Sequence, residues 1–213
     1  MSARNPVTAM RDIVPLRPLT RIEALAAAER QARLLLKLSG IDHPPVPESV
    51  ITELTKIRVE RVHPFPASAA THWTAGTWII VVNSGEVPTR QRFSLAHELK
   101  HIVDHPFVDR LYGALEGDER RRWVEQVCDY FAGCLLMPRT WLQRDIDSGL
   151  GDVGDLVRRY QVSWAAMNYR LTQIGMKPPD PRCLSGSRSY RRDSPSTSTP
   201  RKRRQTAKVG SAR

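Results

Sequence analysis

The stretch that decides the fold is QRFSLAHELKHIVDHP, residues 91–106. Its apolar residues recur at helical spacing and a proline ends the run, which predicts an α-helix. Within it, residues 97–101 read HELKH, a match to the pattern H-E-x-x-H. Positions four apart lie one turn apart on the same helix face, about 6 Å along the axis. The spacing therefore predicts that His97 and His101 bind one metal ion, with Glu98 placed to take a proton from a bound water.

A second helix, predicted over about residues 118–137, offers the third ligand. Glu125 and Asp129 lie one turn apart on it. Glu125 can supply the third zinc ligand, and Asp129 can accept the other ring N–H of a ligating histidine and so fix its tautomer. His105 is a rival third ligand, four residues beyond the second histidine of the motif. On a continuous helix it lies about 12 Å along the axis from the first histidine, so Glu125 is favoured.

Three strands are predicted ahead of the metal-site helix. Residues 57–62 alternate apolar and charged side chains, residues 69–73 give a weaker signal, and residues 77–83, TWIIVVN, give the strongest. We expect a small antiparallel sheet preceding the H-E-x-x-H helix and a helical part following it, so the fold class is α+β. An exposed strand edge near the metal would let an extended peptide add to the sheet through its main chain. The sequence leaves open which strand forms that edge.

The chain is predicted to divide into three parts. Residues 1–19 are expected to be a flexible lead-in, and residues 20–176 a folded domain that opens on a helix capped by Thr20. Residues 177–213 are rich in Pro, Ser, Thr and Arg and poor in apolar residues, which predicts a disordered basic tail. Ten basic and two acidic residues between 180 and 213 account for +8 of the net charge of +11. Such a tail favours non-specific contact with nucleic acid.

A pair of helices predicted over residues 152–175 has the size of a helix-turn-helix. If the pair read DNA, its second helix would offer Ser163, Asn168 and Arg170 to base edges. Packing within a small helical domain explains the same residues, so both interpretations stay open.

The three cysteines, Cys128, Cys134 and Cys183, are widely spaced and form no C-x-x-C motif, which argues against a disulfide framework and a zinc knuckle. The first 21 residues contain charges and prolines where a signal peptide needs an apolar core. No run approaches the roughly 18 apolar residues of a membrane-spanning helix. We therefore expect a cytoplasmic protein.

Two motifs together carry a family resemblance. RFSLAHELKH, residues 92–101, and EQVCDYFAGCLLMP, residues 125–138, resemble the ImmA/IrrE family of metallopeptidases. Members of that family look like R-F-[ST]-L-A-H-E-L-G-H followed by E-x-x-A-[ND]-x-F-A-x-x-L-L-M-P. The likeness extends over roughly residues 22–176, and the paired motifs at this spacing are far more specific than H-E-x-x-H alone.

The resemblance implies a zincin-like, gluzincin-like metallopeptidase domain. In it, zinc (Zn²⁺) would be held by His97, His101 and Glu125, with Glu98 as the catalytic base. It also implies a protein substrate, a DNA-binding repressor of the helix-turn-helix type, and hence a role in transcription regulation.

The chain departs from the family pattern at two positions. Lys100 replaces the usual glycine, so we expect the close approach that a glycine allows to be lost or redirected to solvent. Cys128 replaces a common alanine and is expected to be a small buried residue. Neither departure removes a ligand.

The mechanism that these residues favour is hydrolysis of a peptide bond by a zinc-bound water that Glu98 activates. The residue that stabilises the oxyanion is left among three candidates, Tyr112, Tyr130 and His105. A non-catalytic, zinc-stabilised regulator that binds a repressor or DNA is the alternative function. A purely structural zinc site is a third interpretation, although such sites need four protein ligands and more cysteine than this chain offers.

Overall fold

The computed structural model describes residues 5–176. The predicted basic tail at 177–213 lies outside the described residues, and so do its proposed nucleic-acid contact and Cys183. The helices are α1 (Pro6–Asp12), α2 (Arg21–Leu38), α3 (Ser49–Thr52), α4 (Pro88–Asp104), α5 (Val108–Tyr112), α6 (Gly117–Leu136), α7 (Arg139–Asp147), α8 (Val153–Tyr160) and α9 (Trp164–Gln173). The strands are β1 (Ile57–Val62), β2 (Ala69–Thr74) and β3 (Thr77–Asn83). The α+β class is confirmed, with the sheet ahead of α4 and helices after it.

The sheet is mixed, and the prediction of a purely antiparallel sheet is wrong. Strands β2 and β3 form an antiparallel hairpin, whose turn uses Ala75 and Gly76, both with positive φ. Strand β1 pairs in parallel with the other side of β3, giving the order β1-β3-β2. Strand β3 is central because it is the most apolar of the three, with Ile80 and Val82 fully buried. Strand β2 is therefore an edge, and no other strand among residues 5–176 pairs with its outer side.

The N-terminal segment is a second correction, because the predicted flexible lead-in contains α1. Asn5 caps this helix, and Met10 is completely buried. Arg11 donates hydrogen bonds to the carbonyls of Ile102 and Val103, in the last turn of α4. These carbonyls have no partner within their own helix, so Arg11 supplies one from outside. Helix α1 thus supports the end of the metal-site helix.

Helices α4 and α6 pack against each other and position the site. Their inward faces are aliphatic and aromatic, with Leu95, Leu99, Val127, Phe131 and Leu135 all buried. Helix α2 covers the far side of α6 and begins with the predicted cap at Thr20, which forms a capping box with Glu23. No helix within residues 5–176 combines the length and the apolar character that crossing a bilayer requires.

The pair α8 and α9 has the boundaries that the sequence predicts, but its second helix does not present the expected surface. Arg170 is 1% exposed and donates to the carbonyl of Met137 at the end of α6. It therefore satisfies a helix end and is not available to base edges. Asn168 bonds the carbonyl of Trp164 in its own helix, and Ser163 caps the helix start. Arg170, one of the three residues on which the hypothesis of DNA reading depends, therefore cannot contact DNA in this structure.

Candidate metal centre and cleft

Helices α4 and α6 bring three predicted ligands together. The Nε2 atoms of His97 and His101 are 3.1 Å apart. Glu125 Oε2 lies 3.1 Å from His97 Nε2, and Glu125 Oε1 lies 3.4 Å from His101 Nε2. Zinc bonds of 2.0–2.1 Å in a tetrahedron separate neighbouring ligand atoms by about 3.3 Å. The donor set and its spacing therefore fit a zinc ion.

Asp129 fixes the orientation of the first histidine. The Nδ1–H of His97 donates to Asp129 Oδ1 over 2.8 Å. This bond leaves the lone pair of Nε2 directed at the other two ligands. Asp129 lies one turn beyond Glu125 on α6, so a single helix face supplies both carboxylates.

The three groups perturb one another strongly. Burial lowers the pKa of His97, but hydrogen bonds with Asp129 and Glu125 outweigh it and raise that pKa to about 9. Hydrogen bonds from His101 and His97 hold the pKa of Glu125 well below its usual range. Glu125 is thus an ionised carboxylate ready to bind a cation, and a metal that binds here displaces a proton from His97.

Glu98 follows the first histidine and is directed into the cleft. Its side chain is largely buried, and burial raises the pKa of its carboxyl group while the neighbouring histidines oppose that rise. A carboxylate whose pKa is raised towards neutrality is better matched to proton transfer than an ordinary glutamate.

Cys128 is an alternative ligand that the sequence analysis assigned to packing alone. It is buried as expected, but its Sγ and the ring nitrogens of His97 and His101 lie within 4.8 Å of one another. Burial raises the pKa of the Cys128 thiol well above its usual value, which opposes formation of the thiolate that a metal binds. Glu125 approaches both histidines to 3.4 Å or less and is already ionised, so it has the stronger claim.

Lys100 is buried, so of the two outcomes expected at this position, loss of the close approach or its redirection to solvent, the second is wrong. It is 1% exposed and donates to Asp104 Oδ1 and to Gln31 Oε1, each over 2.7 Å. Tyr112 donates its O–H to the other oxygen of Asp104. Gln31 in turn donates to the carbonyl of Met10 in α1. The lysine that departs from the family pattern has thus acquired a complete set of buried partners.

The three candidates for stabilising the oxyanion, Tyr112, Tyr130 and His105, have different surroundings. Tyr112 is engaged by Asp104, and Tyr130 contacts Glu29 and the guanidinium of Arg170, so neither hydroxyl is directed at the metal site. His105 follows α4 in a short 3₁₀ turn and packs edge-to-face on Trp78, with ring centroids 4.9 Å apart. Of the three predicted oxyanion candidates, His105 alone borders the cleft.

The cleft consists of two chambers that meet at Glu98. The first, here the wide chamber, is a cavity of about 740 Å³ between β2, α4, α6 and the start of α9. Its walls include Ala69, Phe93, Ser94, His97, Glu125, Asp129 and Ala166. The second, here the aromatic chamber, is a cavity of about 470 Å³. It is lined by Thr71, His72, Trp73, Trp78, Glu98, His101, His105 and Val108. The edge strand β2 runs beside both chambers.

Arg92 contributes to this architecture, and the sequence analysis assigned it no role. It lies on α4 and donates to the carbonyl and side chain of Gln161 and to the carbonyl of Val46. Gln161 forms the left-handed turn between α8 and α9. Arg92 thereby holds the start of α9 against the wide chamber. The available signal was an arginine within an otherwise apolar helical face, which requires a partner.

Comparison with known proteins gives a family match over more than half of the chain. Residues 55–172 match the model of the IrrE N-terminal-like domain. This range contains the sheet, both metal-site helices and most of α9.

Two similar relatives are both named radiation response metalloprotease IrrE. The protein of Deinococcus radiodurans is 31% identical over 102 residues, which is 45% of this chain and 31% of that protein. The protein of Deinococcus deserti is 34% identical over 107 residues, 47% of this chain and 38% of that protein. The matched part of this chain thus spans less than two fifths of either relative.

A solved structure of a Mycobacterium tuberculosis transcriptional regulator is also similar. It superposes with a TM-score of 0.57 over 83% of this chain and 53% of that chain. The sequence identity is 21%, so the likeness is one of fold.

Proposed function

The chain belongs to the ImmA/IrrE family, that of the IrrE N-terminal-like domain, and on that premise we propose that it is a zinc-dependent endopeptidase. One observation carries the proposal. The ring nitrogens of His97 and His101 and the carboxylate of Glu125 lie within 3.4 Å of one another. They border a cleft that also holds a partly buried glutamate and runs beside a free strand edge.

In this proposal His97, His101 and Glu125 hold the zinc, and Asp129 keeps His97 in the tautomer that binds metal. A zinc ion held by these residues would lower the pKa of a coordinated water towards ~7 and polarise the scissile carbonyl. Three protein ligands leave one coordination position open, which distinguishes a catalytic from a structural site. Cys128 would close that position only if its thiol were deprotonated.

Glu98 is the proposed general base. It accepts a proton from the attacking water and delivers it to the nitrogen of the leaving amine. The carboxylate borders both chambers, so it can reach the water from one side and the leaving group from the other. His105 is the remaining candidate for a hydrogen bond to the oxyanion.

The substrate would enter as an extended segment along β2. The outer main chain of this edge strand offers N–H and C=O groups to a peptide beside the metal site. Antiparallel addition is the slightly more stable arrangement. In that orientation the peptide runs opposite to β2, so its N-terminal part lies beside the aromatic chamber and its C-terminal part in the wide chamber.

We further propose that the natural substrate is a DNA-binding repressor of the helix-turn-helix type. The support is the resemblance of both motifs to the ImmA/IrrE family. Cleavage of such a repressor makes the enzyme a regulator of transcription and assigns its work to the cytoplasm. The alternative is a non-catalytic, zinc-stabilised regulator that binds a repressor or DNA, and the burial of Arg170 disfavours the version of it that reads DNA through α9.

The proposal is tested with the zinc-loaded full chain and a panel of helix-turn-helix repressors, with fragments identified by mass spectrometry. Glu98→Gln should retain zinc and lose about 10²–10⁴-fold in cleavage rate, because the amide accepts no proton. Glu53→Gln is the matched control, since Glu53 is exposed at the end of α3. This variant should cleave at the wild-type rate.

Undiminished cleavage by Glu98→Gln would refute the assignment of the base. Stable binding of a repressor by the wild type, with stoichiometric zinc and no fragment, would favour the non-catalytic regulator.

A further inference from the structure

The aromatic chamber has a feature that metal binding does not require. Trp73, at the end of β2, is 52% exposed although it is the largest side chain of the strand. Its ring lies edge-to-face on Trp78, with centroids 5.3 Å apart, and Trp78 lies edge-to-face on His105 at 4.9 Å. Three rings from three successive parts of the chain thus form one wall. Such contacts fix ring orientation, so the wall is formed before a ligand arrives.

The chamber is continuous with the catalytic position. Glu98 and His101 are among its lining residues, and Val108 adds an aliphatic surface. None of its lining residues is a lysine, an arginine or an aspartate, and Glu98 is occupied by the proposed chemistry. Apart from the imidazoles of His72 and His105, a charged substrate side chain would find no titratable partner here that the proposed chemistry leaves free, so it would lose more hydration than it regains in contacts. A large apolar side chain would bury its own surface and that of Trp73 together.

We propose that the aromatic chamber is the specificity pocket of the enzyme and selects a bulky apolar or aromatic residue on the N-terminal side of the cleaved bond. The inference rests on the proposed peptidase function. The side follows from the direction of β2, because a peptide that pairs antiparallel with it brings its upstream residues past Thr71 and Trp73. Trp73 is the determining residue, since it is the large apolar side chain of the wall that is exposed.

The wide chamber has a more polar lining near β2 and α4, which supports assigning the selection of an apolar residue to the aromatic chamber. Its surface near β2 and α4 mixes hydroxyl and charged groups, including Ser68, Thr89 and Arg90. Arg90 donates to Ser68, and Ser68 donates to Glu86, so this end is polar and partly engaged. Strong selection for an apolar residue is expected in one chamber and not in the other.

The test uses hydroxamate probes, which bind zinc without being cleaved. N-acetyl-phenylalanine hydroxamate carries its side chain on the upstream side of the metal, and N-acetyl-alanine hydroxamate is the matched probe. On the zinc-loaded full chain, the phenylalanyl probe should bind about 10- to 100-fold more tightly, as expected for burial of an aromatic side chain. Trp73→Ala should remove most of that ratio, and Trp73→Phe should retain most of it.

Tyr169→Ala is the matched control, because Tyr169 is an exposed aromatic residue that lines neither chamber. It should leave the ratio of affinities unchanged. A hydroxamate that carries its benzyl group on the downstream side should be insensitive to Trp73→Ala.

Equal affinity for the two upstream probes on zinc-loaded protein would overturn the inference and leave the peptidase proposal intact. A preference that Trp73→Ala does not reduce would overturn it as well, because the pocket would then lie elsewhere. Zinc-loaded protein that selects the phenylalanyl probe through Trp73 but cleaves no repressor or peptide would instead uphold the chamber as an apolar binding site, and would contradict both the peptidase and the chamber's role as its specificity pocket. Absence of zinc from the wild-type protein would overturn both.

Discussion

Helix α4 carries two clusters of polar side chains that are completed in different ways. The buried cluster, Lys100 and Asp104 with Gln31 and Tyr112, is shielded from water, and its hydrogen bonds are made within the protein. The metal cluster, His97 and His101 with the α6 carboxylates, opens onto a cleft. Both contain an ion pair, and their α4 residues alternate along the same two turns of helix.

This difference distinguishes a polar cluster that stabilises the fold from one that can bind a ligand. A lysine and an aspartate that are buried and hydrogen-bonded to each other are not available to a ligand. Their contribution is therefore to the stability of the fold. Two imidazole nitrogens and a carboxylate that converge at metal-ligand spacing beside water retain lone pairs for a cation. The functional cluster is distinguished by its access to solvent and by lone pairs that remain available to a cation. The presence of charge does not distinguish it, because both clusters are charged.

The largest expected effect comes from uncoupling the buried pair. Asp104→Asn leaves the Lys100 ammonium buried without a counter-charge, so the free energy of unfolding should fall by about 3–5 kcal/mol. Urea denaturation of the metal-free protein measures this loss. Zinc stoichiometry of the folded fraction should stay at the wild-type value. A loss below about 1 kcal/mol would show that the buried cluster does not stabilise the fold.

The same Asp-to-Asn change in the metal cluster should lower zinc affinity and leave stability nearly unchanged. Asp129→Asn removes a half-exposed carboxylate, so metal-free stability should change by less than about 1 kcal/mol. Zinc affinity should fall about 10- to 100-fold, because the orienting partner of His97 is weakened. Competition with a chromophoric chelator measures the affinity. Unchanged affinity would contradict the role given to Asp129.

A smaller effect is expected where α1 meets the end of α4. Arg11→Met removes two hydrogen bonds to the carbonyls of Ile102 and Val103 and should lower stability by about 1–2 kcal/mol. Arg17→Met is the matched control, since Arg17 lies on the surface, where it pairs with Glu23 and donates to the carbonyl of Pro18, and its replacement should be near neutral. Equal effects of the two variants in thermal denaturation would mean that α1 does not support the metal-site helix.

The elements that the sequence predicted well are those with strong local signals. The period of apolar residues in α2, α4 and α6, the cap at Thr20, the alternation in β1 and the apolar run of β3 all have local physical causes. The grouping of His97, His101 and Glu125 was also predictable, because helical spacing and two paired motifs point to it.

The features that were missed depend on contacts between distant parts of the chain. Strand β1 pairs in parallel with the side of β3 that the β2–β3 hairpin leaves free, and the alternation within β1 carries no information on its partner or its direction. Lys100 is buried because Gln31, 69 residues away, and Tyr112 complete its cluster. Helix α1 is too short to be stable alone and owes its order to Met10 and Arg11.

The most direct test of the account is the metal content of purified wild type beside Glu125→Ala, Cys128→Ala and His105→Ala, with cobalt spectra of the same proteins. We predict one zinc per wild-type chain, loss of metal from Glu125→Ala, and retention in the other two variants. The cobalt form of the wild type should lack a thiolate-to-metal charge-transfer band, since Cys128 is not a ligand. Loss of metal from Cys128→Ala with retention in Glu125→Ala, accompanied by that band, would contradict the open two-histidine, one-glutamate site on which the peptidase rests.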